Sequence, residues 1–130
     1  MSLSVTHVNV INLFADDLDR TKAFYREVLG LTLVFEDPSH NVFKLENLII
    51  NLIDRGAALE LVAPVSVADA NSGARAVLSV FVDDVDAACA ELAERGVELI
   101  NGPIDRPWGV RTASFLDPGG HVWEVSQDLG

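Results

Sequence analysis

Residues 107–111 (PWGVR) hold the side chains best suited to grip a small molecule. Trp108 offers a flat ring on which an aromatic or cationic ligand can stack, and Gly109 removes the side chain that would keep backbone and ligand apart. Arg111 brings a permanent charge, available to a ligand or to one of the chain's many carboxylates. Motifs for covalent or phosphate chemistry are missing: there is no glycine-rich phosphate loop, no Ser-His-Asp or Cys-His signature and no Cys-x-x-Cys. The single cysteine, Cys89, falls in a helical stretch, where a thiol is expected to pack rather than attack.

An internal duplication supplies the elements that position these residues. Residues 10–19 (VINLFADDLD) align without a gap over 77–86 (VLSVFVDDVD), which makes Phe14 and Phe81, Asp16 and Asp83, Asp17 and Asp84, and Asp19 and Asp86 equivalent. Ala23 and Ala90 keep the same offset, as do Glu27 and Glu94; one deletion then brings Gly30 over Gly96 and Leu33 over Leu99. So long a period is a whole supersecondary module used twice, not a solenoid unit.

Module 1, about residues 5–62, opens with a β-rich run at 8–14 that stops where Asp16 and Asp17 can cap a helix. Leu18, Thr21, Phe24, Tyr25 and Val28 follow at helical spacing, and Gly30 ends the helix. Residues 31–35, 42–45, 48–53 and 57–62 read as strands, with turns at 37–41, which place His40 in a loop, and at 54–56. Residues 63–76, with Pro64, Asn71, Ser72 and Gly73, suit a linker. Module 2, about 77–127, repeats the order: strand 77–82, a helix capped at Asp83 and Asp84 and closed by Gly96, then strands 97–100, 111–116 and 121–126, the last two joined at Asp117-Pro-Gly-Gly120.

The expected fold class is therefore α+β. Paired βαβββ modules form a curved mixed sheet with a concave cleft and helices on the outer face. Strand alternation puts Val10, Asn12 and Phe14 on one face and Ile11 and Leu13 on the other; Val77, Ser79 and Phe81 likewise oppose Leu78, Val80 and Val82. The uniformly apolar sets belong under the helices, so the mixed sets line the cleft.

The 130 residues fit one domain, and 49% hydrophobic with 22% charged residues is the balance of a globular protein. A net charge of −11 without a basic stripe argues against nucleic acid. The longest apolar run, 48–53, is too short to cross a bilayer, and the N-terminus shows no secretory pattern, so no membrane partner and a cytoplasmic location are expected.

Residues 17–31 (DLDRTKAFYREVLGL), 82–86 (VDDVD) and 117–124 (DPGGHVWE) resemble the vicinal oxygen chelate superfamily, which includes glyoxalase I, bleomycin-resistance proteins, fosfomycin-resistance enzymes and extradiol dioxygenases. The resemblance covers nearly the whole chain and implies paired βαβββ modules. Residues 107–111 also resemble a loop of the bleomycin-resistance-like members. Enzymes of the family hold a divalent metal with His, Gln or Glu at four places, on the first and last strands of each module. By this resemblance the first-strand places fall on Val10 and Val77, which cannot ligate, and the last-strand places on Glu60 and Glu124. His7 falls on the opposite strand face from Val10, and His121 has the wrong parity relative to Glu124. No cofactor is expected; a metal, if bound, would rest on Glu60 and Glu124.

Two carboxylates sharing a cleft without a metal raise a pKa or demand a cation; a ligand amine, a shared proton or Arg111 could answer that demand. The implied function is that of a metal-free small-molecule-binding protein of the bleomycin-resistance type, an antibiotic-resistance class, working as a homodimer. It would sequester an aromatic or cationic ligand against Glu60, Glu124, Trp108, Arg111, Phe14, Phe81, Asn12 and Ser79, with Val10 and Val77 lining the site. The competing expectation is a metal-dependent lyase, isomerase or dioxygenase of the same superfamily.

Overall fold

Asp17 and Asp84 act as the duplication requires. In the computed structural model, which describes residues 2–130, Asp17 Oδ1 accepts from the Arg20 N–H at 3.1 Å, and Asp84 Oδ1 from the Ala87 N–H at 3.2 Å. Each thereby satisfies one of the unpaired donors at a helix start. The helices that follow end ahead of Gly30 and Gly96, whose φ angles of +69° and +76° lie in the left-handed region that glycine enters without strain.

The chain forms two compact units, one ending at Asp69 and the other beginning at Ala70. The first contains β1 (Val10–Ala15), α1 (Leu18–Glu27), β2 (Thr32–Asp37), β3 (His40–Lys44), β4 (Ile49–Asp54) and α2 (Arg55–Val62). The second contains β5 (Val77–Phe81), α3 (Val85–Glu94), β6 (Leu99–Arg106), β7 (Val110–Leu116) and β8 (Val122–Asp128). Each unit builds one four-stranded mixed sheet, in the orders β1-β4-β3-β2 and β5-β8-β7-β6, with the first strand parallel to the last and the other pairs antiparallel. The expected α+β class with βαβββ modules is what the structure shows.

Alternation sorts the cores as the sequence requires. In the first unit Tyr25 of α1 is fully buried, its ring centroid 5.6 Å from that of Phe43, and Ile50 and Leu52 of β4 are buried on the same sheet face. In the second, Val85 and Leu92 of α3 are buried together with Ala113, Phe115, Trp123 and Val125 of the sheet. The opposite face of each sheet carries the mixed set: Val10, Asn12 and Phe14, and Val77, Ser79 and Phe81.

Three local expectations are corrected. Residues 57–62 form helix α2 rather than a strand, because Asp54 caps it by accepting from the Gly56 N–H at 3.1 Å and Ala57, Ala58, Leu59, Glu60 and Leu61 are strong helix formers. The helix packs on the end of the mixed face, where Ile53, Ala58 and Val67 form a buried cluster joined by Phe14, Ala57 and Val62. His40 is no loop residue; it opens β3 opposite Ile53. Strand β6 runs on to Arg106, with register shifts on either side of Asn101. Its Gly102 has positive φ, and any Cβ there would strike the Thr112 carbonyl. Arg55 Nη2 donates to the Val67 carbonyl at 2.8 Å, and its Nη1 contacts Asp16 Oδ1 at 3.2 Å.

Candidate functional site

The registers place the repeated polar residues in equivalent spots. Asn12 of β1 lies beside Asn51 of β4, as Ser79 of β5 lies beside Glu124 of β8. The Asn51 Nδ2 donates to Asn12 Oδ1 at 3.1 Å, and the Ser79 hydroxyl donates to Glu124 Oε1 at 2.9 Å. The structural counterpart of Glu124 is therefore Asn51. Glu60, expected on a last strand, is an exposed residue of α2. It nevertheless reaches the mixed face of the first unit, where it lines a groove of about 440 Å³ with Asn12, Asn51 and His40.

Within that groove Asn51 Oδ1 is buried and has no hydrogen-bond partner among the described residues. His40 directs Nδ1 at Asp37 Oδ1, 3.0 Å away. The Asp37 carboxyl is held below its usual value, chiefly by the Ser39 N–H it accepts and then by His40. Val10 is 41% exposed on this sheet face, while Phe14 is partly covered by α2.

The mixed face of the second unit is furnished differently. Ser114, Thr112 and Ser126 are buried there around the partly exposed Glu124. At one end, Phe81 and Trp108 line a groove of about 510 Å³ together with Val110, Asp83 and Asp128. Both aromatics are unusually open: Phe81 is 80% exposed and Trp108 71%. Val77, at the start of the same strand as Phe81, is 52% exposed.

Arg106, which the sequence reading passed over, lies 6.0 Å from the Trp108 ring centroid. It is anchored there by Nε donating to Thr112 Oγ1 at 2.9 Å and Nη2 to Asn101 Oδ1 at 3.2 Å. Its position directly before the Pro-Trp-Gly turn was the available signal. Arg111 sits on the helix-bearing face, one residue out of phase with Thr112. Its guanidinium donates to Asp105 Oδ1 at 2.9 Å and to Asp86 Oδ1 at 3.0 and 3.1 Å. Those two carboxylates, Asp105 foremost, raise its pKa. Among the expected contacts, the second unit thus joins Phe81 to Trp108 and Ser79 to Glu124, while Arg111 stands apart from both.

By strand position, the four places that the resemblance assigns to a metal fall on Val10 and Asn51 in one unit and on Val77 and Glu124 in the other. Neither the isopropyl group and neutral amide of the first unit nor the isopropyl group and Ser79-bonded carboxylate of the second fits a divalent cation, which needs several anionic or imidazole donors. No group of three or more His, Cys, Asp or Glu residues among the described residues is arranged to hold a metal.

Two βαβββ units with parallel first and last strands define the class of protein, and comparison with known proteins gives the family. A family model described as the Glyoxalase/Bleomycin resistance protein/Dioxygenase superfamily matches residues 5–125, and the chain belongs to that superfamily. It is similar to a glyoxalase/bleomycin resistance protein/dioxygenase from Nocardioides, with 28% identity and a TM-score of 0.87 over 98% of this chain and 87% of that one. Lactoylglutathione lyase from Agrobacterium tumefaciens is 26% identical, with a TM-score of 0.76 over 95% and 94% of the two chains. TnmS3, an antibiotic binding protein from Streptomyces sp. CB03234, is 29% identical, with a TM-score of 0.72 over 98% and 99%. No helix among the described residues is long and apolar enough to cross a membrane.

Proposed function

We propose that this chain is a metal-free binding protein that sequesters a small aromatic or cationic molecule. The observation that carries the reading is the groove of the second unit, where Phe81 and Trp108 stand 80% and 71% exposed beside two carboxylates. Large rings are ordinarily among the more buried side chains, and their convergence on one groove suits stacking on a flat ligand. The valines and the amide at the family's ligand places support function without a metal. Sequestration requires shape, stacking and charge complementarity but no chemical step. Similarity to an antibiotic binding protein is consistent with an antibiotic as the natural ligand. In this reading the protein works in the cytoplasm as a homodimer.

Tryptophan fluorescence tests the proposal. Trp108 is exposed and Trp123 is 3% exposed, so a ligand in the groove quenches Trp108 alone. A panel of flat aromatic cations and aromatic antibiotics is expected to give saturable quenching, lost in Trp108→Phe, with affinity by calorimetry falling about tenfold. Unchanged affinity in Trp108→Phe would remove that residue from the site. Stoichiometric zinc or nickel retained through purification would instead favour the metal-dependent lyase, isomerase or dioxygenase.

A further inference from the structure

We infer that the groove of the second unit selects ligands that are aromatic and cationic at once, with Asp83 and Asp128 as its charge-selecting residues; the inference rests on the binding function proposed above. The strand registers bring these groups to one end of the sheet. Phe81 ends β5 opposite Ser126 of β8, Asp128 follows two residues on from Ser126 and lies opposite Val110, and Trp108 stands in the turn that delivers Val110. Asp83 lies two residues beyond Phe81, just ahead of the cap of α3.

Neither Lys nor Arg lines this groove, while Asp83 and Asp128 do. Arg106, close by, has its place set: it lies over Trp108, held by Thr112 and Asn101. The indole thus already has a protein cation over it. A second stacking group must avoid the guanidinium, and a ligand's positive charge is best placed away from Arg106, toward the two aspartates. Asp105, also close in sequence, is ion-paired with Arg111. The ligand class that satisfies all these groups is a flat ring system bearing a permanent or protonated nitrogen, with the ring between Phe81 and Trp108 and the charge facing Asp83 and Asp128. A neutral ring of the same size gains the stacking but not the charge.

N-methylacridinium and acridine at pH 8 are probes of nearly equal ring area, one cationic and one neutral. Wild-type protein is expected to bind N-methylacridinium about tenfold more tightly at low salt, with the ratio shrinking as sodium chloride is raised. Asp83→Asn and Asp128→Asn are each expected to weaken N-methylacridinium about two- to fivefold and to leave acridine unchanged. Asp19→Asn, which removes an exposed carboxylate of the first unit, is expected to alter neither affinity. Equal binding of the two probes, or equal losses in Asp19→Asn and Asp83→Asn, would overturn charge selection while leaving the small-molecule site standing. Binding of neither probe overturns both the selection and the site.

Discussion

The same phenylalanine, repeated in the two units, is covered in one and bare in the other. Phe14, next to last in β1, and Phe81, last in β5, lie on equivalent faces of equivalent strands. In the first unit α2 crosses the end of that face, and Phe14 packs against Ile53, Ala58 and Val67. No helix among the described residues packs on the corresponding face of the second unit, and Phe81 is 80% exposed beside Trp108. The polar positions diverge as well: an amide pair, Asn12 and Asn51, in one unit answers a hydroxyl–carboxylate pair, Ser79 and Glu124, in the other. The backbone plan persists while side chains and a single helix decide what each face can do. One face is partly covered by a helix of its own unit, and on the other the aromatic rings stay open.

The largest expected effect comes from restoring the donor types that the two units lack at the family's ligand places. If Asn51 is the counterpart of Glu124, the triple change Val10→His, Asn51→Glu, Val77→His gives each unit one imidazole and one carboxylate at the family's ligand places, donor types that suit zinc. Wild type is expected to lose zinc on desalting, whereas the triple variant retains it stoichiometrically by elemental analysis. Adding Glu60→Gln should then make no difference. The equivalence fails if Val10→His, Val77→His alone retains zinc and gives it up on Glu60→Gln.

The repeated phenylalanines offer a smaller but sharper contrast. Phe14→Ala opens a void beneath α2 and is expected to cost about 2–4 kcal/mol of unfolding free energy in urea. Phe81→Ala removes a ring that touches mostly solvent and should change stability by no more than about 0.5 kcal/mol, yet it should weaken binding of the aromatic probes. Comparable destabilisation by both changes would mean that Phe81 is covered in solution, which would count against the groove as an open site.

What the sequence discloses follows from how local the responsible physics is. The Asp caps, the glycine stops and the alternation of Val10, Asn12 and Phe14 are properties of a few neighbouring residues, and they are legible. Helix α2 is not: alanine and leucine flanking Glu60 match an alternating strand pattern as well as a helical one, and only the Asp54 cap and helix propensity separate them. The bend around Gly102 and Pro103 hides the second half of β6 in the same way. Asn51 escapes because loops of unequal length shift the offset between the units, so alignment from the first strands no longer points to it. A lone polar residue in the apolar run of residues 48–53 was the clue, and strand register is what gives it meaning. The Phe81–Trp108 groove was half legible: both rings can be named from sequence, but their juxtaposition depends on where β6 ends.

The smallest expected effect separates the ends of the two equivalent hairpins. Between β6 and β7 the second unit sets Arg106 over Trp108, while between β2 and β3 the first unit sets Asp37 against His40. Asp37 accepts from the Ser39 N–H at 2.8 Å and faces His40 Nδ1 at 3.0 Å, contacts that favour its charged form and hold its pKa below the usual aspartate value. A carboxyl whose folded pKa is depressed contributes stability that is complete above its unfolded value and disappears as pH falls through the folded one. Asp37→Asn is therefore expected to be less stable than wild type near neutrality in urea titrations, with the gap closing below about pH 3.8 as the wild-type carboxyl protonates. Both the Asp37 and the His40 side chains are substantially exposed, so the gap is expected to be small and to shrink with added salt. A gap that persists undiminished into the acid range would show that Asp37 acts through the shape of its turn rather than through its charge, leaving the two hairpin ends less different than their residues suggest.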